Sequence, residues 1–171
     1  PERVRCALAY FLLMFLFRGM PFIDLCHLRK KDVKGNFIVY CRHKTGRPMA
    51  VRIPREAARL MEEFRDTDPD SVYLFPILNE RDEKADGSRK SNGNEKSDGT
   101  DSVKRKGDAG GTALRLYNRY RKALRNFNKE LAKLAALLLP GVKISSYTAR
   151  HTWATLAFYQ GITIGIISKA L

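Results

Sequence analysis

Apolar residues recur at helical spacing along most of the chain, and this pattern predicts a mainly helical fold. Residues 7–17 are apolar on nearly every face, which is typical of a helix buried in a core. Gly19 and Pro21 interrupt the pattern, and a proline suits the first turn of the helix that is predicted to follow. Another helix is predicted after Pro54, where apolar residues again share one face.

A longer periodic segment lies in the second half of the chain. Across 114–138 an apolar residue occurs every three or four positions, which predicts a long amphipathic helix that ends at Pro140. Either Ser145 or Ser146 is expected to cap the next helix, because a serine side chain can accept a hydrogen bond from a free backbone N–H group there. A last apolar helix is predicted to begin near Thr163.

One segment changes from helical spacing to the alternation of a β-hairpin. Residues 37–41 and 49–53 are short β-type runs on either side of a turn-rich centre, KTGR at 44–47. Residues 71–77 are expected to form a short extended piece. The fold class predicted from the sequence is therefore mainly α with a small antiparallel β-hairpin or sheet.

Residues 79–111 are a low-complexity insert. They include six glycines and no aromatic residue, and their only aliphatic residues are Ala85, Val103 and Ala109. Such a segment cannot bury enough apolar area to offset the entropy lost on ordering, so a disordered surface loop is predicted. The rest of 1–171 is long enough for one domain with a sizeable core.

The chain is strongly basic. It has 32 lysines and arginines against 18 acidic residues, a net charge of +14 and a pI near 10.0. The insert at 79–111 is neutral, with eight basic and eight acidic residues, so the whole excess lies on the remainder. A folded body this basic attracts nucleic acid, because each neutralised phosphate releases counterions. A merely soluble basic surface is the less favoured alternative.

Cysteine usage and apolar run length exclude several classes of protein. Cys6, Cys26 and Cys41 are an odd number at irregular spacing, which argues against a disulfide framework or a zinc site and fits a reducing cytosol. We expect no metal and no cofactor. The apolar run at 6–17 is shorter than the roughly 20 residues that span a bilayer, so neither a membrane partner nor a signal peptide is expected.

Three motifs occur in an informative order: FRGMPFIDLCHLRKKDV at 17–33, VYCRHKTGRPMAVRIP at 39–54 and SSYTARHTWATLA at 145–157, followed by GITIGIISKAL at 161–171. Together they resemble the catalytic domain of the tyrosine recombinases, the phage-integrase family, and most closely the integrases of mobile elements in Bacteroides-type bacteria. Outside the insert, the resemblance covers essentially the whole chain. No single motif is highly specific, but the three in this order are.

The resemblance implies site-specific recombination or integration of double-stranded DNA without a metal. A tyrosine attacks the scissile phosphate and forms a 3′-phosphotyrosyl link, which the hydroxyl of a second strand later reverses. Two arginines stabilise the charge on the non-bridging oxygens, and a hairpin lysine protonates the leaving oxygen. Arg150 matches the second arginine and Lys44 the lysine. The full-length protein is expected to act as a homo-oligomer on DNA in the bacterial cytoplasm, associated with the nucleoid.

Further positions of the last motif receive roles from the same resemblance. Tyr147 occupies a place where many relatives have a histidine, and it could donate a hydrogen bond to phosphate. His151 is expected to be a packed, hydrogen-bonded support rather than a catalyst. Trp153 and Leu156 are expected to form the core face of their helix.

The first arginine of the family is the clearest departure. Asp24 and Leu25 match the Glu-Leu of its motif, which places the arginine at Pro21. We therefore expect Arg18 to act as the stand-in, since the break between Gly19 and Pro21 could let its long side chain reach the same pocket. Asp24 is expected to lie behind the arginines and orient them.

DNA contacts are expected on the hairpin and on the basic faces of the long helix. The residues proposed for them are Arg42, Arg47, Arg119 and Lys122.

In the family, a third-box histidine and the nucleophilic tyrosine follow the segment that ends here at Leu171. The chain is therefore expected to be a partial catalytic domain that binds DNA but is inactive by itself. Two alternatives stay open: a non-catalytic basic DNA-binding module and a type IB topoisomerase-like enzyme. A helical scaffold for protein partners would predict no salt-dependent DNA binding.

Overall fold

The computed structural model describes residues 2–79 and 108–171, with the backbone alone for 108–111. Within these ranges the protein is mainly helical with a small three-stranded antiparallel sheet, as the sequence predicts. The predicted insert falls mostly on 80–107, outside the described residues, and its last residues already belong to a helix. In chain order the elements are α1 (Glu2–Leu16), α2 (Phe22–His27), β1 (Val33–Lys34), β2 (Phe37–Cys41), β3 (Pro48–Arg52), α3 (Arg55–Phe64), α4 (Asp108–Leu138), α5 (Thr148–Tyr159) and α6 (Ile164–Ala170).

Helix α1 is the centre of the helical layer and contacts α3, α4 and α5. Its side chains are apolar nearly all round because neighbours cover it on several sides. The core extends from α1 into α2, the sheet and α4, and its large, almost fully buried side chains include Leu13, Phe17, Leu25, Ile38, Phe75 and Leu131. No helix among the described residues is long and apolar enough to cross a membrane.

Helix α1 ends in a left-handed turn. Arg18 has φ of 58° and Gly19 has φ of 68°, and the backbone N–H of Met20 donates to the carbonyl of Met14 at 2.9 Å. This long return bond satisfies a carbonyl that the helix end would otherwise leave free. The turn brings the chain into α2, where Phe22 stacks on Phe127 of α4 with ring centroids 4.3 Å apart.

The three strands form an antiparallel meander in the order β1-β2-β3. Ile38 pairs with Val51 and Tyr40 with Met49, and all four side chains lie on the buried face. This alternation explains why the hairpin was predictable. Strand β3 begins one residue before the predicted position, and the two-residue strand β1 was not predicted.

The start of α5 differs from the expectation. Tyr147 holds the N-cap position without a side-chain cap, so the predicted serine cap is wrong. Ser145 Oγ instead accepts from the backbone N–H of Tyr147 at 3.3 Å, and the backbone N–H of Ser146 donates to Asn128 Oδ1 of α4 at 2.8 Å. The bond to Asn128 ties the loop before α5 to α4.

The buried face of α5 also differs from the expectation. Ala149 and Ala157 are buried, whereas Trp153 is only half-buried and Leu156 is 46% exposed. Small side chains face the core because α5 packs against α1, and close helix packing leaves little room for large ones. The assignment of Leu156 to the core is therefore wrong.

Candidate functional site

A buried carboxylate on α2 connects that helix to the hairpin. The side chain of Asp24 is 1% exposed, and its Oδ1 accepts the backbone N–H of His43 at 2.9 Å. Its Oδ2 lies 3.6 Å from Nε of Arg42. Burying a carboxylate costs free energy unless it is paired or hydrogen-bonded. The contacts of Asp24 with Arg42 and His43 therefore hold the residues that follow β2 in a defined position.

Arg42 lies beside Asp24 and is largely shielded from solvent. Its side chain is 11% exposed, and its separation from Asp24 is an ion-pair distance rather than a hydrogen bond. Arg42 Nε and Asp24 Oδ2 are both buried without a hydrogen-bond partner in the described part of the chain. The buried carboxylate therefore keeps most of the Arg42 side chain out of solvent, and the expected contact of Arg42 with DNA stays a prediction.

The turn after β2 fixes the backbone of Arg42. Its N–H donates to the carbonyl of Arg47 at 2.8 Å, and its own carbonyl accepts from Gly46 at 2.8 Å. Gly46 has φ of 66°, a conformation that glycine adopts without steric cost. Lys44 and Arg47 are exposed on this turn, as expected for side chains that could reach DNA.

Arg150 enters the same region from α5. Its Nη1 donates to the carbonyl of Gly19 at 3.0 Å, and its Nη2 donates to the carbonyl of Leu171. Burial lowers the pKa of Arg150, and the positive charge of Arg42 lowers it further, while Asp24 opposes the shift. The structure thus brings Arg42, Asp24 and Arg150 together into one electrostatic cluster, which we call the arginine cluster.

Burial dominates the protonation of the acidic groups beside this cluster. It raises the pKa of Asp24, while the N–H of His43 and the charges of Arg42 and Arg150 oppose the rise. It also raises the pKa of Tyr40 to about 12, and the negative charge of Asp24 adds to that rise. Tyr40 is therefore a neutral hydroxyl near the arginines at any physiological pH.

Arg18 does not join the arginine cluster. Its side chain is exposed and forms no hydrogen bond or ion pair with residues 2–79 or 108–171. The physical reason is the left-handed turn, which places the backbone of Gly19 against Arg150 while the side chain of Arg18 stays in solvent. Arg18 therefore lies outside the arginine cluster in this structure, and its expected role as the first arginine stays a prediction.

The other predicted site residues lie on the surface. Tyr147 is 62% exposed, and its ring lies 4.9 Å from that of His151, which is exposed as well. The expectation of a packed, hydrogen-bonded His151 is therefore wrong. On α4, Lys122 is exposed and Arg119 is half-buried. Neither belongs to the arginine cluster.

Sequence reasoning missed a pair of stacked histidines beside the arginine cluster. The ring centroids of His27 and His43 lie 4.6 Å apart, with an interplanar angle of 25°. Nδ1 of His27 forms a hydrogen bond with the carbonyl of Ile23 at 2.8 Å. They line a cleft of about 410 Å³ together with Asp24 and Tyr73. No sequence spacing joins His27 to His43, because the hydrogen bond from the His43 N–H to Asp24 brings the hairpin turn to α2.

Comparison of the chain with protein-family models, curated proteins and solved structures finds no match. Among the described residues, no group of three or more histidine, cysteine or acidic side chains is arranged to hold a metal ion.

The stacked histidines predict a pH dependence of stability. Burial lowers the pKa of His27 from its ordinary value of about 6.5, and the charge of His43 lowers it further, while Asp24 and the Ile23 carbonyl oppose the shift. The unfolded chain then binds more protons than the folded one, so this contribution is present above the ordinary pKa and is lost as pH falls through the folded value. Arg29 also disfavours the charged ring.

We expect His27→Gln to reduce the fall in the free energy of unfolding between about pH 7 and pH 5, measured by urea denaturation at several pH values. His151→Gln is the matched control, because it removes an exposed histidine. An unchanged pH slope in His27→Gln would contradict the prediction.

Proposed function

We propose that the chain is a catalytic domain of the tyrosine recombinase type, which recombines double-stranded DNA at specific sites through a phosphotyrosyl link. The observation that supports this proposal is the arginine cluster, in which Arg42 of the hairpin pairs with the buried carboxylate of Asp24 and Arg150 of α5 interacts electrostatically with both. Phosphoryl transfer needs little covalent chemistry from the protein beyond the nucleophile, and positioned positive charge does most of the work. The net charge of +14 favours a polyanionic substrate.

In this proposal Arg42, and not Arg18, takes the role of the family's first arginine. Arg42 is buried, paired with Asp24 and close enough to Arg150 to shift its pKa. Two guanidinium groups can present several N–H donors to the non-bridging oxygens of one phosphate, where charge is held in the transition state. Asp24 orients Arg42 without touching the DNA.

The step itself balances without a cofactor. The tyrosine nucleophile, which the resemblance places after residue 171, gives its phenolic proton to solvent as its oxygen bonds to phosphorus and the bond to the 5′ oxygen breaks. Lys44 gives its proton to the departing 5′ oxygen from its exposed place on the turn. Tyr147 can donate a further hydrogen bond to the phosphate. The free 5′ hydroxyl of a second strand then reverses the step.

The surroundings of the site fit a DNA partner. The exposed side chains of Arg47 and Lys122 can contact phosphates, and such contacts position DNA without reading its sequence. We propose that the full-length protein assembles as a homo-oligomer on its recombination site in the bacterial cytoplasm.

The test uses the protein expressed from its full reading frame and nicked suicide duplexes tiled across the DNA that flanks its gene. We expect a covalent protein–DNA adduct that survives denaturing electrophoresis, because the nick lets the 5′ strand end diffuse away. Salt-dependent binding without an adduct at saturating DNA would overturn the recombinase and favour the basic DNA-binding module. Adduct formation with relaxation of supercoiled DNA and no strand exchange would favour the type IB topoisomerase.

A further inference from the structure

The turn that ends α1 makes an unusually close approach to the arginine cluster. Gly19 is buried, has φ of 68° and offers its carbonyl to Nη1 of Arg150 at 3.0 Å. The preceding residue, Arg18, also has a positive φ, which few residues other than glycine adopt. Two successive left-handed residues at a candidate site are a reason to look for a functional constraint.

The space at Gly19 is already filled by Arg150. A Cβ atom at position 19 would lie 3.1 Å from Cα of Arg150 and 3.3 Å from its Cγ. It would also lie 3.2 Å from Cδ2 of Leu171. The first of these atoms is backbone in α5, so relief would require the turn and the helix to move apart. That movement would also lengthen the hydrogen bond from Arg150 to the carbonyl of Gly19.

We infer that Gly19 is a positioning residue for Arg150. Its missing side chain lets the α1–α2 turn lie against α5, and its carbonyl holds one end of the guanidinium group. A guanidinium has five N–H donors, and the carbonyls of Gly19 and Leu171 take two of them. Within residues 2–79 and 108–171 the other donors have no protein acceptor, so they can bind a phosphate in an orientation fixed in advance. This inference rests on the proposed function and concerns the same site.

A glycine at a helix end can also be present only because its φ is positive, without any role in positioning Arg150. Gly35 serves as the control that separates these two explanations. Gly35 has φ of 57°, close to that of Gly19, but a Cβ there would meet nothing within 4 Å. Gly35→Ala therefore imposes a similar backbone strain without any contact to Arg150. Gly19→Ala adds the displacement of Arg150 to that strain.

The first experiment compares single-turnover cleavage of suicide duplexes by full-length Gly19→Ala and Gly35→Ala at saturating DNA. The contacts at Gly19 require Arg150 to shift by a few tenths of an ångström, so we expect Gly19→Ala to slow cleavage by about 10-fold, less than the roughly 100-fold cost of a 1 Å misplacement. Gly35→Ala should leave the rate close to that of wild type. A methylphosphonate at the scissile position removes the charge that Arg150 neutralises. The gap between wild type and Gly19→Ala should therefore shrink on that substrate, which a purely structural defect would not produce.

A second experiment needs no catalysis and uses the 171-residue chain. Two carbonyl bonds should restrict rotation of the Arg150 guanidinium, so its side-chain nitrogens should give separate NMR signals in the wild type. The signals should merge in Gly19→Ala and stay separate in Gly35→Ala. Merged signals in the wild type would show a freely rotating guanidinium and would overturn the inference. The wild-type spectrum gives this answer whether or not Gly19→Ala folds.

The two failures are distinguishable. Equal cleavage by Gly19→Ala and Gly35→Ala, with normal adduct formation by the wild type, would overturn the positioning role and leave the proposed function standing. Absence of an adduct in the wild type, with the expected NMR difference, would overturn the proposed function while supporting the coupling of Gly19 to Arg150.

Discussion

Arg42→Ala in the full-length protein is expected to slow DNA strand cleavage by about 10³-fold, which corresponds to roughly 4 kcal/mol of transition-state stabilisation. Arg42 is the guanidinium that Asp24 holds inside the protein beside Arg150, so its loss removes charge at the point where the proposed transition state needs it. Arg18→Ala should leave the rate nearly unchanged, because that side chain is exposed. The measurement is adduct formation in a single turnover at saturating suicide DNA.

Two further variants separate charge, geometry and simple DNA affinity. Arg42→Lys keeps the charge but loses the planar fork of donors, so it should also be slow. Arg47→Ala removes an exposed arginine from the same hairpin turn and should weaken binding, with the salt slope reduced by about one, at an unchanged cleavage rate on saturating DNA. If Arg18→Ala is slow and Arg42→Ala is not, the family's first arginine is at position 18 after all.

The regular part of the fold could be predicted because burial imposes a period on the sequence. The hairpin alternates buried and exposed residues along β2 and β3, and the helices carry apolar stripes or, in α1, apolar residues on nearly every face. The two residues of β1 are too few to show any period, and their pairing with Phe37 and Ile38 comes from the turn that joins them. Such a strand is visible only in three dimensions.

Side-chain size misled the prediction for α5. Trp153 and Leu156 are the large apolar residues that usually mark a core face, yet Ala149 and Ala157 are the buried ones on this helix, which contacts α1. The distance between two helix axes decides whether a contact takes large or small residues, and that distance does not follow from the sequence of one helix.

The arginine cluster was predicted in part. Arg150 and Asp24 were identified through the resemblance, and the structure places both in the cluster. Arg42 was expected to face DNA because it stands in a basic, turn-rich stretch beside His43 and Lys44. Its pairing with Asp24 crosses from the hairpin to α2, and no pattern within either segment reports it. The nearest signal was the absence of an arginine at Pro21, which required a substitute from elsewhere.

Asp24→Ala is expected to lower the free energy of unfolding at pH 7 by about 3–5 kcal/mol. The substitution leaves the guanidinium of Arg42 buried without a counter-charge and the N–H of His43 without its acceptor. For a chain of this size the midpoint of thermal unfolding should fall by roughly 6–20 °C. Urea denaturation and thermal melts of the 171-residue chain measure both quantities. Asp32→Ala is the matched control, because Asp32 accepts a backbone N–H at 2.8 Å from an exposed position.

The pH dependence and a double substitution distinguish folding from function. Burial raises the pKa of Asp24, so ionisation of Asp24 opposes folding. The contribution of Asp24 to the free energy of unfolding is therefore most favourable below its ordinary pKa of 3.8. That contribution declines as the pH rises through the pKa of Asp24 in the folded protein. Because ionisation of Asp24 opposes folding, stability alone does not explain why the chain buries the Asp24–Arg42 ion pair. Asp24→Leu with Arg42→Met should therefore recover most of the stability that Asp24→Ala loses, since apolar residues can replace a buried ion pair at little cost. The same double variant should form no adduct with suicide DNA. Recovery of stability together with normal cleavage would show that Arg42 has no part in the reaction.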